Sequence, residues 1–167
     1  SSSVEARDRV IDALYSQLLN RSPDAGGRAY WQGYLATNTV KSMAILFAQS
    51  AEFNALGGGT TEGIINRLYQ TILNRTPAAD EVQYWVNYVN TNGLPQVAQL
   101  FWTSSENLTA HLQVAYSAAF GSGSVIAADT LASYLFDNRH DRRREEEIFA
   151  QVVASGGNYA HTDNVSA

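Results

Sequence analysis

Cysteine is absent from the 167 residues, so the chain forms no disulfide and offers neither a thiol nucleophile nor a thiolate metal ligand. Basic residues are scarce: 11 Lys and Arg against 16 Asp and Glu leave a formal net charge of −5. That balance argues against a nucleic-acid binder, which carries a basic footprint. It also argues against a module held to anionic lipid by a polybasic surface. No apolar run reaches the roughly 18 residues of a transmembrane helix, so no membrane insertion is expected. Ser1-Ser2-Ser3 leads directly into the charged Glu5, Arg7, Asp8 and Arg9, which does not suit a secretory leader and reads as a piece of a longer chain. What is plentiful is apolar: 45% hydrophobic residues suffice for a core without covalent staples.

An internal repeat organises those apolar residues. Leu14-Tyr15, Leu19-Asn20-Arg21-Ser22-Pro23, Tyr30-Trp31 and Tyr34 recur as Leu68-Tyr69, Leu73-Asn74-Arg75-Thr76-Pro77, Tyr84-Trp85 and Tyr88. The offset is constant (69 − 15 = 54; 85 − 31 = 54). It continues without a gap to Leu46-Phe47, Ser50 and Glu52, matched by Leu100-Phe101, Ser104 and Glu106. A diverged third copy is expected, with Ala115-Tyr116, Phe120-Gly121 and Ser133-Tyr134-Leu135 in the equivalent places and Ser155 at its end. The expected units are 10–56, 61–110 and 111–159 within one all-helical repeat domain, with a polar tail at 160–167.

Each unit carries helix signals. Val10, Ala13, Leu14, Leu18 and Leu19 recur at helical spacing. Ser22-Pro23-Asp24 combines a cap, a first-turn proline and a carboxylate near the positive helix end, and Thr76-Pro77 repeats the cap. Asn38 and Asn92-Gly93 are stop signals, Ser50 and Ser104 are fresh caps, and Gly57-Gly58-Gly59 reads as a flexible joint. Asp141 to Glu147 reads as a solvated helix face with Arg142/Glu146 and Arg143/Glu147 one turn apart. The expectation is an all-α chain of tandem helical repeats with about nine helices.

The combination Leu-Tyr, Leu-Asn-Arg-(Ser/Thr)-Pro, Tyr-Trp and Phe-x2-Ser-x-Glu resembles a bacterial repeat family, domain-of-unknown-function family 4214. It spans roughly residues 10–110, and the rest as a diverged third unit. The family occurs in large, cysteine-poor surface and secreted proteins, often beside calcium-binding repeats. The arrangement is also similar to the anchoring region of some S-layer proteins, where helical repeats hold the lattice to lipopolysaccharide. A weaker similarity, to the helical linker domains of phycobilisomes, is opposed by their usual basicity. The resemblance implies an extracellular, cell-surface attachment module and carries no catalytic residue across. Its partner would be lipopolysaccharide or another cell-surface glycan, or a neighbouring protein subunit.

His111, His140 and His161 stand in different segments without a motif, so ordinary histidines are expected and no enzyme. His161-Thr162-Asp163 is half a metal site at most. Asp24 before Gly26-Gly27 invites a calcium reading, but its counterpart Ala78 is no ligand, and a helix start is preferred. Tyr15, Trp31 and Phe47, with Tyr69, Trp85 and Phe101, are expected to form two related cores. Tyr34, Tyr88 and Trp102 are the candidates for stacking on sugar rings; Trp102 leads because its counterpart is Ala48. Arg21 and Arg75 either hold an anionic ligand or pair internally with Glu52 and Glu106, the preferred alternative. Since the net charge opposes an acidic glycan, calcium at the binding surface is a possible bridge.

Overall fold

The computed structural model describes residues 2–140 and 145–160. The basic-to-acidic run at Arg142–Arg144 and the His161-Thr162-Asp163 segment lie outside them. Ten α-helices follow one another, with no strand among the described residues. They are α1 (Ser2–Leu14, continued by a π-helical turn, Tyr15–Leu19), α2 (Ala25–Leu35), α3 (Val40–Ala48), α4 (Ala51–Leu56), α5 (Thr61–Ile72), α6 (Ala79–Asn92), α7 (Leu94–Trp102), α8 (Ser105–Phe120), α9 (Ala128–His140) and α10 (Glu145–Ala154).

The chain divides into two compact units, residues 1–102 and 103–167, each with its own core. One continuous domain was expected, but the buried side chains fall into two separate clusters. The first unit holds the helix set α1–α2–α3 and its repeat α5–α6–α7, with α4 between them. The helix pairs α1·α2 and α5·α6 pack in the same order, and α3 lies on α7.

The repeated motifs have local physical causes. Asn20 and Asn74 both adopt the left-handed conformation, φ 54° in each, which asparagine tolerates better than most residues. That turn brings the next backbone N–H, of Arg21 or Arg75, back to the carbonyl of Tyr15 or Tyr69. The arginine side chain then folds over the tyrosine ring, 4.9 Å from its centroid in one repeat and 4.7 Å in the other. Leu-Asn-Arg is therefore a helix stop that stores an arginine on an aromatic face.

Helix α2 starts at Asp24, whose carboxylate accepts the Gly27 N–H at 2.6 Å. Ala78 has no side-chain acceptor, so α6 makes the reverse contact: the Ala78 N–H donates to Glu81 Oε1 at 3.0 Å. Thr39, Ser50, Thr60 and Ser104 cap α3, α4, α5 and α8. Gly57-Gly58-Gly59 is no loose joint. Gly58 and Gly59 take positive φ, and Gly57 lies so close to Gly63 that neither can carry a Cβ without displacement.

In the second unit Ser104 starts α8 as Ser50 starts α4, but α8 continues through to Phe120. The positions matching Gly57-Gly58-Gly59 are His111-Leu112-Gln113, which do not interrupt a helix. The shortened offset of the third copy follows (116 − 69 = 47, against 54). Helices α8, α9 and α10 enclose a core of Leu108, Leu112, Tyr116, Tyr134, Ile148, Val152 and Tyr159.

Candidate functional site

The repeated aromatic cluster is built outward from the core. Tyr15 and Tyr69 are buried and meet Phe47 and Phe101 edge to face, at 5.0 Å and 4.9 Å between centroids. Trp31 and Trp85 then lie on the same phenylalanines, each at 5.0 Å. Their indole N–H groups donate to the tyrosine hydroxyls, Trp31 to Tyr15 at 3.2 Å and Trp85 to Tyr69 at 2.9 Å. Both tryptophans are half-buried and pack against the first core.

On the outer side of each indole stands a tyrosine that sequence reasoning passed over. Tyr30 is 64% exposed and Tyr84 58% exposed. Each meets its tryptophan edge to face at 5.0 Å. Tyr34 and Tyr88, one turn on, complete the ledge at 5.2 Å and 5.5 Å from the same indoles, half-buried. The Tyr34 hydroxyl donates to Ser42 at 2.9 Å. Both Tyr30 and Tyr84 immediately precede the tryptophan, about 100° round the helix from it, a spacing that does not fix exposure, since Phe101 precedes Trp102 and both are buried.

Trp102 is corrected. It is 3% exposed, sealed into the first core together with Val97, Ala98 and Phe101. It sits one turn after Ala98 on the buried side of α7, so its ring offers no platform to a sugar.

Both arginines grip carboxylates of the first unit. Arg21 grips Glu52 through Nε to Oε1 at 2.6 Å and a second N–H to Oε2 at 3.0 Å, the internal pair expected. Arg75 grips Glu81 at 3.1 Å and 3.2 Å. Its expected partner, Glu106, belongs to the second unit. Glu81 also accepts from the Tyr69 hydroxyl at 3.1 Å. Its counterpart is Gly27 (81 − 54 = 27), where a Cβ would stand 2.7 Å from the Tyr15 hydroxyl. The two ledges therefore share their rings and differ in the charge beside them.

Arg75, and then the Ala78 N–H, hold the Glu81 carboxyl well below the usual carboxylate range, at about 2. A depressed value contributes stability above the ordinary carboxylate range and loses it as pH falls from 4.5 toward about 2. Carboxyl NMR should therefore find Glu81 the late titrator, and Arg75→Ala should move its midpoint upward. A midpoint near the ordinary glutamate value in the parent chain would remove this contact from the solution structure.

The second unit has a polar cluster of its own. Glu145 Oε1 accepts from the Tyr134 hydroxyl at 2.9 Å and lies 3.1 Å from His111 Nδ1. Burial pushes the Tyr134 hydroxyl far above the usual tyrosine range, so it keeps its proton. The Tyr159 hydroxyl donates to Asp137, and Thr130 donates to the Gly157 carbonyl at 2.7 Å. His111 is thus a half-buried partner of Glu145. Among the described residues no three His, Asp or Glu side chains are grouped as a metal ion needs. No described helix is long and apolar enough to cross a membrane.

A family model described as domain of unknown function (DUF4214) matches residues 4–57 and 44–111. The chain belongs to this family. In DUF4214 terms, the two matches span both ledges and the Leu-Asn-Arg turns that precede them. No curated protein and no solved structure matches the chain.

Proposed function

We propose that this DUF4214 chain is a non-catalytic attachment module of a bacterial surface or secreted protein. It works outside the cell, holding lipopolysaccharide or another cell-surface glycan against the ledges of α2 and α6. The observation that carries this reading is the exposure of Tyr30 and Tyr84 at equivalent positions. Packing does not require an exposed ring, yet both repeats hold one rigidly against an anchored indole. A tyrosine so placed offers an apolar face to a sugar ring and a hydroxyl to its polar edge. With a net charge of −5, attachment to an acidic glycan requires a divalent cation such as calcium to bridge the two surfaces.

The test is binding of the chain to purified lipopolysaccharide, with calcium and with excess chelator. Tyr30→Ala and Tyr84→Ala together should weaken binding at least about tenfold, since stacking rings supply roughly a kcal/mol or more each. Both side chains are exposed, so the variant should keep its thermal midpoint. Binding unaffected by the double substitution would discard the ledges, and undiminished binding in chelator would discard the calcium bridge. A second reading, a linker that assembles a surface layer through protein contacts, is favoured by exposed apolar residues on the second unit, Val114 and Phe136 among them.

A further inference from the structure

The two repeats of the first unit meet through equivalent surfaces. Arg67 on α5 points at the end of the first helix and donates to the Leu18 carbonyl at 3.0 Å. Gln17, on that helix end, points back at α5 and donates to the Thr71 carbonyl at 2.8 Å. Thr71 is the repeat counterpart of Gln17 (71 − 17 = 54). Arg67 and Thr71 are one turn apart, so the same stripe of each helix faces the other. Helix α3 likewise packs on its counterpart α7. Ala44 and Ala48 on α3, and Ala98 and Trp102 on α7, hold equivalent positions beside the inward-facing Phe47 and Phe101, and all four are buried. One surface serving both partners is isologous packing, the arrangement of a two-fold dimer rather than an open stack.

The third repeat carries the same stripes largely uncovered, with Phe149 alone partly packed on the second core. With Tyr116 at the place of Tyr69, Val114 falls at Arg67 and Ala118 at Thr71 (67 + 47 = 114; 71 + 47 = 118). The end of α10 aligns through its serine: Ser155 donates to the Val152 carbonyl at 2.8 Å, as Ser50 donates to Phe47 at 2.7 Å. Val152 thus stands at Phe101 (152 − 101 = 51), and Phe149 and Val153 stand at Ala98 and Trp102. Val114 is 75% exposed and Val153 39% exposed; Ala118 is exposed and Phe149 half-buried. Every pairing position is apolar, although solvent reaches all of them.

We propose that this face, Val114 and Ala118 on α8 with Phe149 and Val153 on α10, pairs with the same face of a second copy of this chain. The occupant follows from the first unit, where the equivalent surface already pairs with its own kind. An isologous contact closes on itself with two copies. The third repeat would reproduce between chains the pairing that the first two make within one. The proposal deepens the protein-contact reading and does not rest on glycan binding.

The experiment is sedimentation velocity of the 167-residue chain, without glycan, from about 1 µM to about 200 µM. The expected result is a concentration-dependent shift from monomer to dimer. Val114→Glu with Val153→Glu should keep the chain monomeric across the range, with unchanged helical circular dichroism. Should that variant lose helicity, Val114→Lys alone, on the more exposed residue, should weaken self-association at least tenfold in a folded chain. A parent chain that stays monomeric throughout overturns the proposal, as does a dimer that survives these substitutions. Either failure leaves the test of Tyr30 and Tyr84 on glycan untouched.

Discussion

Phe47→Ala and Phe101→Ala are each expected to destabilise the first unit by about 3–5 kcal/mol, the usual cost of deleting a large core aromatic. Both rings are buried, and each is the floor on which a tyrosine and a tryptophan stand. Removing the floor leaves a cavity and frees the indole that carries the exposed ledge. Stability of such a unit is about 5–15 kcal/mol, so one substitution takes a large share of it. Urea unfolding should show a lower midpoint with an unchanged slope. The two losses should be similar because the ring geometry is nearly identical in both repeats. A loss under about 1 kcal/mol would mean that the site collapses around the missing ring and that the ledges do not depend on it.

Gly63→Ala is the second large effect. A Cβ there would lie 1.7 Å from the Gly57 carbonyl oxygen and 2.8 Å from its carbon. The obstacle is backbone, which no rotamer change relieves, so α4 and α5 must separate. The expected cost is about 1–3 kcal/mol or more, the range of overpacking. Gly33→Ala is the control. Gly33 lies within α2, and an added Cβ would meet nothing within 4 Å. Alanine there should stabilise by about 0.5–1 kcal/mol through helix propensity and a restricted unfolded chain. Thermal midpoints of the two variants should therefore move in opposite directions. If Gly63→Ala is neutral, the close approach of Gly57 and Gly63 is absent in solution.

The helical class, the order of elements and the caps at Ser50 and Ser104 were legible in the sequence by itself, whereas the cap read at Ser22 falls on Asp24. These features depend on residues within a turn or two of one another, where spacing and side-chain chemistry act directly. The constant offset of 54 residues likewise made the family and the equivalence of the two aromatic clusters readable.

Tertiary structure alone decided which aromatics meet solvent. Periodicity shows that Trp102 and Tyr30 stand on helices, but exposure depends on what lies opposite. Packing of α3 on α7 seals Trp102, while the outer side of α2 leaves Tyr30 open. The grip of Arg75 on Glu81 needed the left-handed turn at Asn74, which aims the guanidinium at the start of α6. The repeat also could not reveal how its copies face each other, because an apolar stripe records that it is covered and not by what. Gln17 reaching its own counterpart, Thr71, is a contact between residues 54 apart in sequence, and only the folded chain brings them together.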